Sequence, residues 1–180
     1  SSWVNWGMYR VMLHDKNTLG AYISPGHHGR IIREKHWAKG ESCPVVLSFG
    51  QDPSLWIATC TSLPWGVSEY GLAGYLLGEP EEVVPGPITG LPIPAHAEIV
   101  IEGEIPPPQV ETRIEGPFGE ATGYYGSSAR PEPVIRVKSV LHRDNPIMCG
   151  APPVRPPSEQ VFFKNILSSV QIWDELEKAG

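Results

Sequence analysis

A β-barrel with helices inserted between its strands, mainly β within the α+β class, is the fold this sequence predicts. Two observations carry that expectation. Strand-forming runs outnumber helical ones, and there is neither regular strand–helix–strand alternation nor a G-x-G-x-x-G turn. At 180 residues the chain can build one sizeable core, or one domain plus an appendage. Its hydrophobic content of 41%, with six Trp and six Tyr, belongs to a folded globular protein.

Val4 to Leu13 is rich in β-branched, aromatic and apolar residues and predicts a strand. His14–Asn17 predicts a turn and Gly20–Ile23 the returning strand. Pro25-Gly26 leads into a helix over His28–Lys39, stopped by Gly40. The continuous apolar run Cys43–Phe49 suits a buried strand. Asp52-Pro53 has the cap and first-turn pattern of a helix reaching about Cys60. Ser62–Gly66 is a loop. Ser68 can cap a helix over Glu69–Leu77, which Gly78 ends.

From Glu79 to Pro94, prolines and glycines interrupt each apolar piece, so extended segments and turns are expected. Ala97–Ile105 alternates as a strand and Pro106-Pro-Pro108 ends it; Val134–His142 is a second long strand. Cys149–Pro157 is a proline-rich crossover. Ser158 then caps a helix to about Lys178 with an apolar stripe at Phe162, Ile166, Val170, Trp173 and Leu176, which has to dock on something. The division expected is therefore 1–157 for the barrel and 158–180 for a helix leading onward.

A net charge of −6 gives no electrostatic reason to expect nucleic acid or an anionic membrane as partner. Any anionic ligand must be held by local Arg or Lys, backbone N–H groups or a metal. The three cysteines (Cys43, Cys60, Cys149) are odd in number and lack zinc-site spacing, which fits a reduced, cytoplasmic setting. No apolar run reaches the roughly 18 residues a membrane span needs. The opening Ser1-Ser2-Trp3 has no initiator Met and no signal-peptide pattern, and reads as the middle of a larger protein.

The stretch Arg113–Tyr125 sets two carboxylates, Glu115 and Glu120, either side of a Gly-Pro-Phe-Gly turn. Gly116, Pro117 and Gly119 cannot continue a helix or a regular strand, so a shaped loop is expected. Its apolar and aromatic flanks suggest a partly desolvated pocket, in which paired carboxylates acquire different proton affinities. Two solvated glutamates on a glycine-rich hairpin are the plainer alternative. Elsewhere Asn5 and Arg10 share one strand, where odd spacing sends them to opposite faces unless a bulge at Gly7 re-aims one. His27-His28 can be a metal site or a helix start, and Glu69 a ligand or a favourable helix N-terminal charge.

Taken together, Asn5 with Arg10, His28, Ser68–Gly74, Ala97–Gly103 and the Glu115-Gly-Pro-Phe-Gly-Glu120 segment with its Thr-Gly-Tyr tail resemble the UbiD-type decarboxylases. These are reversible (de)carboxylases that use prenylated FMN. The resemblance runs over most of the chain and covers the central part of a family member, without the N-terminal domain or the C-terminal oligomerising domain. It implies a split β-barrel of the flavin-binding type, homo-oligomerisation through that C-terminal domain, and a flavin prenyltransferase that supplies the cofactor.

By family pattern, Asn5, His28 and Glu69 would ligate a divalent metal, usually Mn²⁺, that clamps the flavin phosphate, with K⁺ nearby. Hard oxygen donors and one imidazole suit such an ion. Spacing alone selects His28 over His27. Trp3, Trp6, Met8, Arg10 and the Thr61-Ser62-Leu63-Pro64 loop fall where the family places cofactor contacts. Arg10, Glu115 and Glu120 match its Glu–Arg–Glu catalytic network: Arg10 orients the carboxylate of an aromatic or α,β-unsaturated acid, Glu120 delivers the proton that replaces CO₂, and Glu115 keeps the charge balance. The rival reading is a non-catalytic flavin-binding or assembly module holding plain FMN or nothing. An ordinary flavin reductase is disfavoured by the metal-type trio.

Overall fold

The computed structural model describes residues 3–120, 123–148, 150 and 155–180, which leaves Cys149 and much of the expected crossover outside the described residues. The elements are β1 (Arg10–Asp15), β2 (Thr18–Tyr22), α1 (His28–Trp37), β3 (Cys43–Phe49), α2 (Pro53–Cys60), α3 (Glu69–Leu77), β4 (Val83–Pro85), β5 (Pro92–Pro94), β6 (Ile99–Ile105), β7 (Thr112–Glu115), β8 (Arg130–His142) and α4 (Glu159–Ala179). Mainly antiparallel sheet with four helices is thus the observed class. The large sheet runs β1-β2-β8-β6-β3, with β7 also paired to β8, and β4-β5 form a separate hairpin.

Among the described pairings none joins β1 to β3, so the sheet is open rather than a closed barrel. The predicted strand Val4–Leu13 begins its ladder only at Arg10, because the Trp6 N–H is donated to the Glu69 carboxylate instead of a neighbouring strand. His14, expected in a turn, instead lies within β1. The turn is only Lys16-Asn17, held by the Asn17 N–H on Asp15 Oδ1 at 2.9 Å, and the β1–β2 register slips between Leu13 and Asp15, leaving His14 bulged.

Several helix signals act as expected. The Asp52 carboxylate accepts from Ser54 N at 2.7 Å at the start of α2, and Gly78 ends α3 at φ +86°. Ser68 precedes α3 without making a side-chain cap bond. β7 was not foreseen, and it converts the start of the Arg113 loop into four residues paired with Arg130–Pro133 of β8.

One unit of the chain comprises residues 1–115 and 130–149. Its sheet core is built from Leu19, Ala21, Cys43, Ile105 and Ile135, with Trp37 of α1 packed on it and donating from Nε1 to Ile105 O at 3.0 Å. Leu55, Ala58 and Ala73 pack α2 against α3 in a second cluster. Glu102 on β6 is fully buried and accepts from Thr89 N at 2.8 Å and Thr89 Oγ1 at 2.7 Å, which fastens the β4–β5 turn to the sheet. The other unit comprises 116–129 and 150–180. In it, α4 is capped by Ser158 Oγ accepting from Val161 N, and its stripe stays exposed, Trp173 at 69%.

Candidate active site

Two groups of polar side chains form in the first unit, both reaching segment 3–10. The first is centred on Glu69, buried at the first residue of α3. Its Oε1 accepts from Asn5 Nδ2 at 2.7 Å and its Oε2 from Trp6 N at 3.0 Å. The Tyr9 hydroxyl donates to Asn5 Oδ1 at 2.8 Å and accepts from Gly29 N at 3.1 Å, one residue beyond His28. Burial, the largest cause, pushes the Tyr9 hydroxyl above its ordinary pKa, so it stays protonated.

Its ring is slotted between two glycines: a Cβ would come within 2.5 Å of the ring at Gly7 and 2.8 Å at Gly29. Tyr9 was not singled out from sequence, because a tyrosine in an apolar strand-like run reads as packing. The glycines on both sides of its slot were the available signal.

His28 opens α1 and lies edge-on to Trp3 (5.5 Å) and Trp65 (5.0 Å), while Trp3 Nε1 donates to Val67 O at 3.1 Å. His27 lies edge-on to Tyr9 instead, at 6.0 Å. The structure thus brings Asn5 and Glu69 into contact and ties both to the start of α1, without joining either directly to an imidazole among the described contacts. Among the described residues no group of three or more His, Cys, Asp or Glu could hold a metal. A carboxylate, an amide oxygen and a neighbouring imidazole fit a divalent ion of the Mn²⁺ type by donor chemistry.

The second group is an ion pair. Arg10 Nε donates to Glu115 Oε1 at 2.8 Å, with the Glu115 side chain fully buried and that of Arg10 28% exposed. Arg10 also lies 4.6 Å over the Tyr22 ring, and Arg130 lies 4.8 Å over the same ring. The Tyr22 hydroxyl is held below its ordinary pKa by hydrogen bonding with Ser24 and then Arg130. Arg10 and Glu115, 105 residues apart in sequence, are therefore one charge pair with its carboxylate buried and its guanidinium part-exposed.

Glu120 is described within its own unit. Its backbone N donates to Tyr124 O at 2.8 Å, and its side chain is exposed. Tyr124 and Tyr125 are each 75% exposed and Ile114 59%, so the desolvated surroundings expected of this loop belong to Glu115 alone. Of the expected cofactor loop, Thr61 closes α2 with its hydroxyl on Ile57 O, while Ser62 and Pro64 are exposed. Met8 is 45% exposed. A cavity of about 540 Å³ opens beside the first group, lined by Asn5, Trp6, Tyr9 and β3, with the buried guanidinium of Arg33 in its wall.

The family model for the 3-octaprenyl-4-hydroxybenzoate carboxy-lyase (UbiD) Rift-related domain matches residues 1–156. The chain belongs to the UbiD family. Pyrrole-2-carboxylic acid decarboxylase of Pseudomonas aeruginosa is 40% identical over 179 residues, 99% of this chain and 36% of that protein. Phenolic acid decarboxylase of Bacillus subtilis is 36% identical over 97% of this chain and 36% of its own length. Among solved structures, an evolved dimeric form of the UbiD-class enzyme HmfF of Pelotomaculum thermopropionicum in complex with prFMN superposes with a TM-score of 0.73 at 35% identity, over 79% of this chain and 32% of that one. Vanillic acid decarboxylase of Sedimentibacter hydroxybenzoicus gives a TM-score of 0.80 at 29% identity, over 88% and 33%. This UbiD chain spans about a third of the length of these relatives.

Proposed function

We propose that this chain is the central catalytic part of a prenylated-FMN-dependent decarboxylase acting on an aromatic, heteroaromatic or α,β-unsaturated carboxylic acid. The observation that carries the reading is the Arg10–Glu115 pair, a fully buried carboxylate held by a guanidinium whose side chain stays 28% exposed and can still meet a substrate carboxylate. The names of the relatives, both acting on aromatic acids, support the substrate class.

In this reading the sheet is the framework of a split barrel, and the remaining length of the protein completes it. Residues 158–180 lead to a further, oligomerising domain that covers the exposed stripe of α4. Asn5, His28 and Glu69 would hold a divalent metal with K⁺ nearby, neutralising the cofactor phosphate. Trp6, Met8, Thr61, Ser62 and Pro64 line the cofactor. Bound prenylated FMN supplies the electron sink that lets CO₂ depart. Arg10 orients the substrate carboxylate with its exposed face while Glu115 holds its Nε. Glu120 delivers a proton to the carbon that loses CO₂. The odd number of cysteines, without zinc-site spacing, supports a reduced, cytoplasmic setting, and a flavin prenyltransferase supplies the cofactor.

The test is the full-length protein co-produced with a flavin prenyltransferase and offered benzoates, heteroaromatic acids and cinnamates. The expected result is CO₂ release from at least one class, abolished when the prenyltransferase is omitted. A flavin-loaded protein inert towards all of them overturns the reading in favour of a binding or assembly module.

A further inference from the structure

The ion pair uses only one of the two oxygens of Glu115. The other, Oε2, is buried and has no hydrogen-bond partner among the described residues, and the same is true of His14 Nε2. Two buried polar atoms without partners are costly singly, so their positions matter. Both face the same spot. A Cβ built on Gly20 would lie 2.9 Å from Glu115 Oε2 and 3.1 Å from His14 Nε2, so a single missing side chain separates them.

The sequence arranges this in three steps. Arg10 and His14 stand four apart on β1, and the alternation of a strand sends both to one face. The slip between Leu13 and Asp15 leaves His14 at a bulge, a feature that re-aims a side chain. Gly20 on β2, opposite Met12, leaves the gap into which the Glu115 side chain projects.

We propose that His14 is a positioning residue for Glu115: its imidazole Nε2–H serves the second carboxylate oxygen, as Arg10 serves the first. A carboxylate oxygen only accepts, so the pairing requires the ring form that carries its proton on Nε2. Glu115 is thereby held from both sides, and Arg10 keeps a fixed orientation. This rests on the decarboxylase reading for its effect on turnover, but not for the contact itself.

The experiment uses the full-length enzyme with its cofactor and three variants. His14→Leu removes the donor and is expected to lower turnover about 10- to 100-fold at unchanged flavin content, the size expected for losing a hydrogen bond to a buried charge. His14→Gln, which keeps an N–H at similar reach, should recover turnover to within about 3-fold of wild type. Gly20→Ala touches only the movable ends of two side chains, so it should fold while parting the pair and lowering turnover as His14→Leu does.

The independent arm is ¹⁵N NMR of the His14 ring, whose Nε2 resonance should move in Glu115→Gln. Wild-type turnover in His14→Leu, or a His14 ring signal indifferent to Glu115→Gln, overturns the proposal. A wild-type enzyme inert towards every acid overturns the functional reading instead, and the NMR arm still decides the pairing.

Discussion

The Tyr9 hydroxyl donates to Asn5 Oδ1 at 2.8 Å, so the side chain that also touches Glu69 is oriented by a tyrosine four residues along the same segment. Because the same hydroxyl accepts from Gly29 N, one phenol fixes the amide of Asn5 and the entry to α1 together. Tyr9→Phe should leave the fold in place and loosen Asn5. Loss of these hydrogen bonds predicts flavin retention weaker by about 10-fold in the full-length protein, measured as flavin left after desalting. Retention equal to wild type would show that Asn5 needs no such support.

His28→Ala in the full-length enzyme should lose both metal and flavin on desalting, with elemental analysis as the measurement. His27→Ala should lose neither, since His27 lies against Tyr9 rather than in the Trp3–Trp65 cluster. The reverse outcome moves the ligand one residue.

Glu120→Gln keeps shape but carries no transferable proton. Turnover should fall by about 10²–10⁴-fold with flavin still bound, the usual span for a general acid. Deuterium from D₂O should also cease to enter the product at the former carboxylate position. Glu115, committed to Arg10 and buried, is not expected to donate that proton. Exchange that survives Glu120→Gln and vanishes in Glu115→Gln would exchange the two roles.

Burial pushes the Cys43 thiol up from its ordinary value of 9.0 to about 11. Both states hold the proton below the unfolded value, so Cys43 adds no pH dependence there. Between about pH 9 and 11 the folded state binds more protons than the unfolded one, and stability falls as pH rises through that window. Denaturant unfolding at pH 8 and pH 10.5 should therefore show a smaller loss for Cys43→Ala than for wild type. Equal losses would place the thiol in a wetter environment than the core of β3 suggests.

What could be read in advance follows the range of the interaction. Asp52-Pro53 and Gly78 work through neighbours in sequence, so α2 and α3 match their predicted spans. β7 did not emerge because four residues ending on Glu115 carry no periodicity, and the strand exists only through its partners on β8. The Arg10–Glu115 pair spans 105 residues, and no local spacing encodes it; the family resemblance alone brought the two together. The desolvated pocket expected of this loop rests on the apolar and aromatic flanks Ile114, Phe118, Tyr124 and Tyr125, and it does not extend to Glu120, whose side chain is exposed along with Tyr124 and Tyr125. His14 reads as a turn residue in the sequence, since a one-residue bulge leaves no mark there.

The aromatic cluster at the start of α1 gives this corner an optical voice. Trp3 and Trp65 stand with ring centroids 4.7 Å apart, close enough for their excited states to couple, and the His28 imidazole lies against both. A change of charge on that imidazole, by protonation or by coordination, alters the field felt by two indoles at once. Tryptophan emission and the near-ultraviolet dichroism of the protein thus become direct reporters of what His28 holds, readable without substrate, turnover or any added dye.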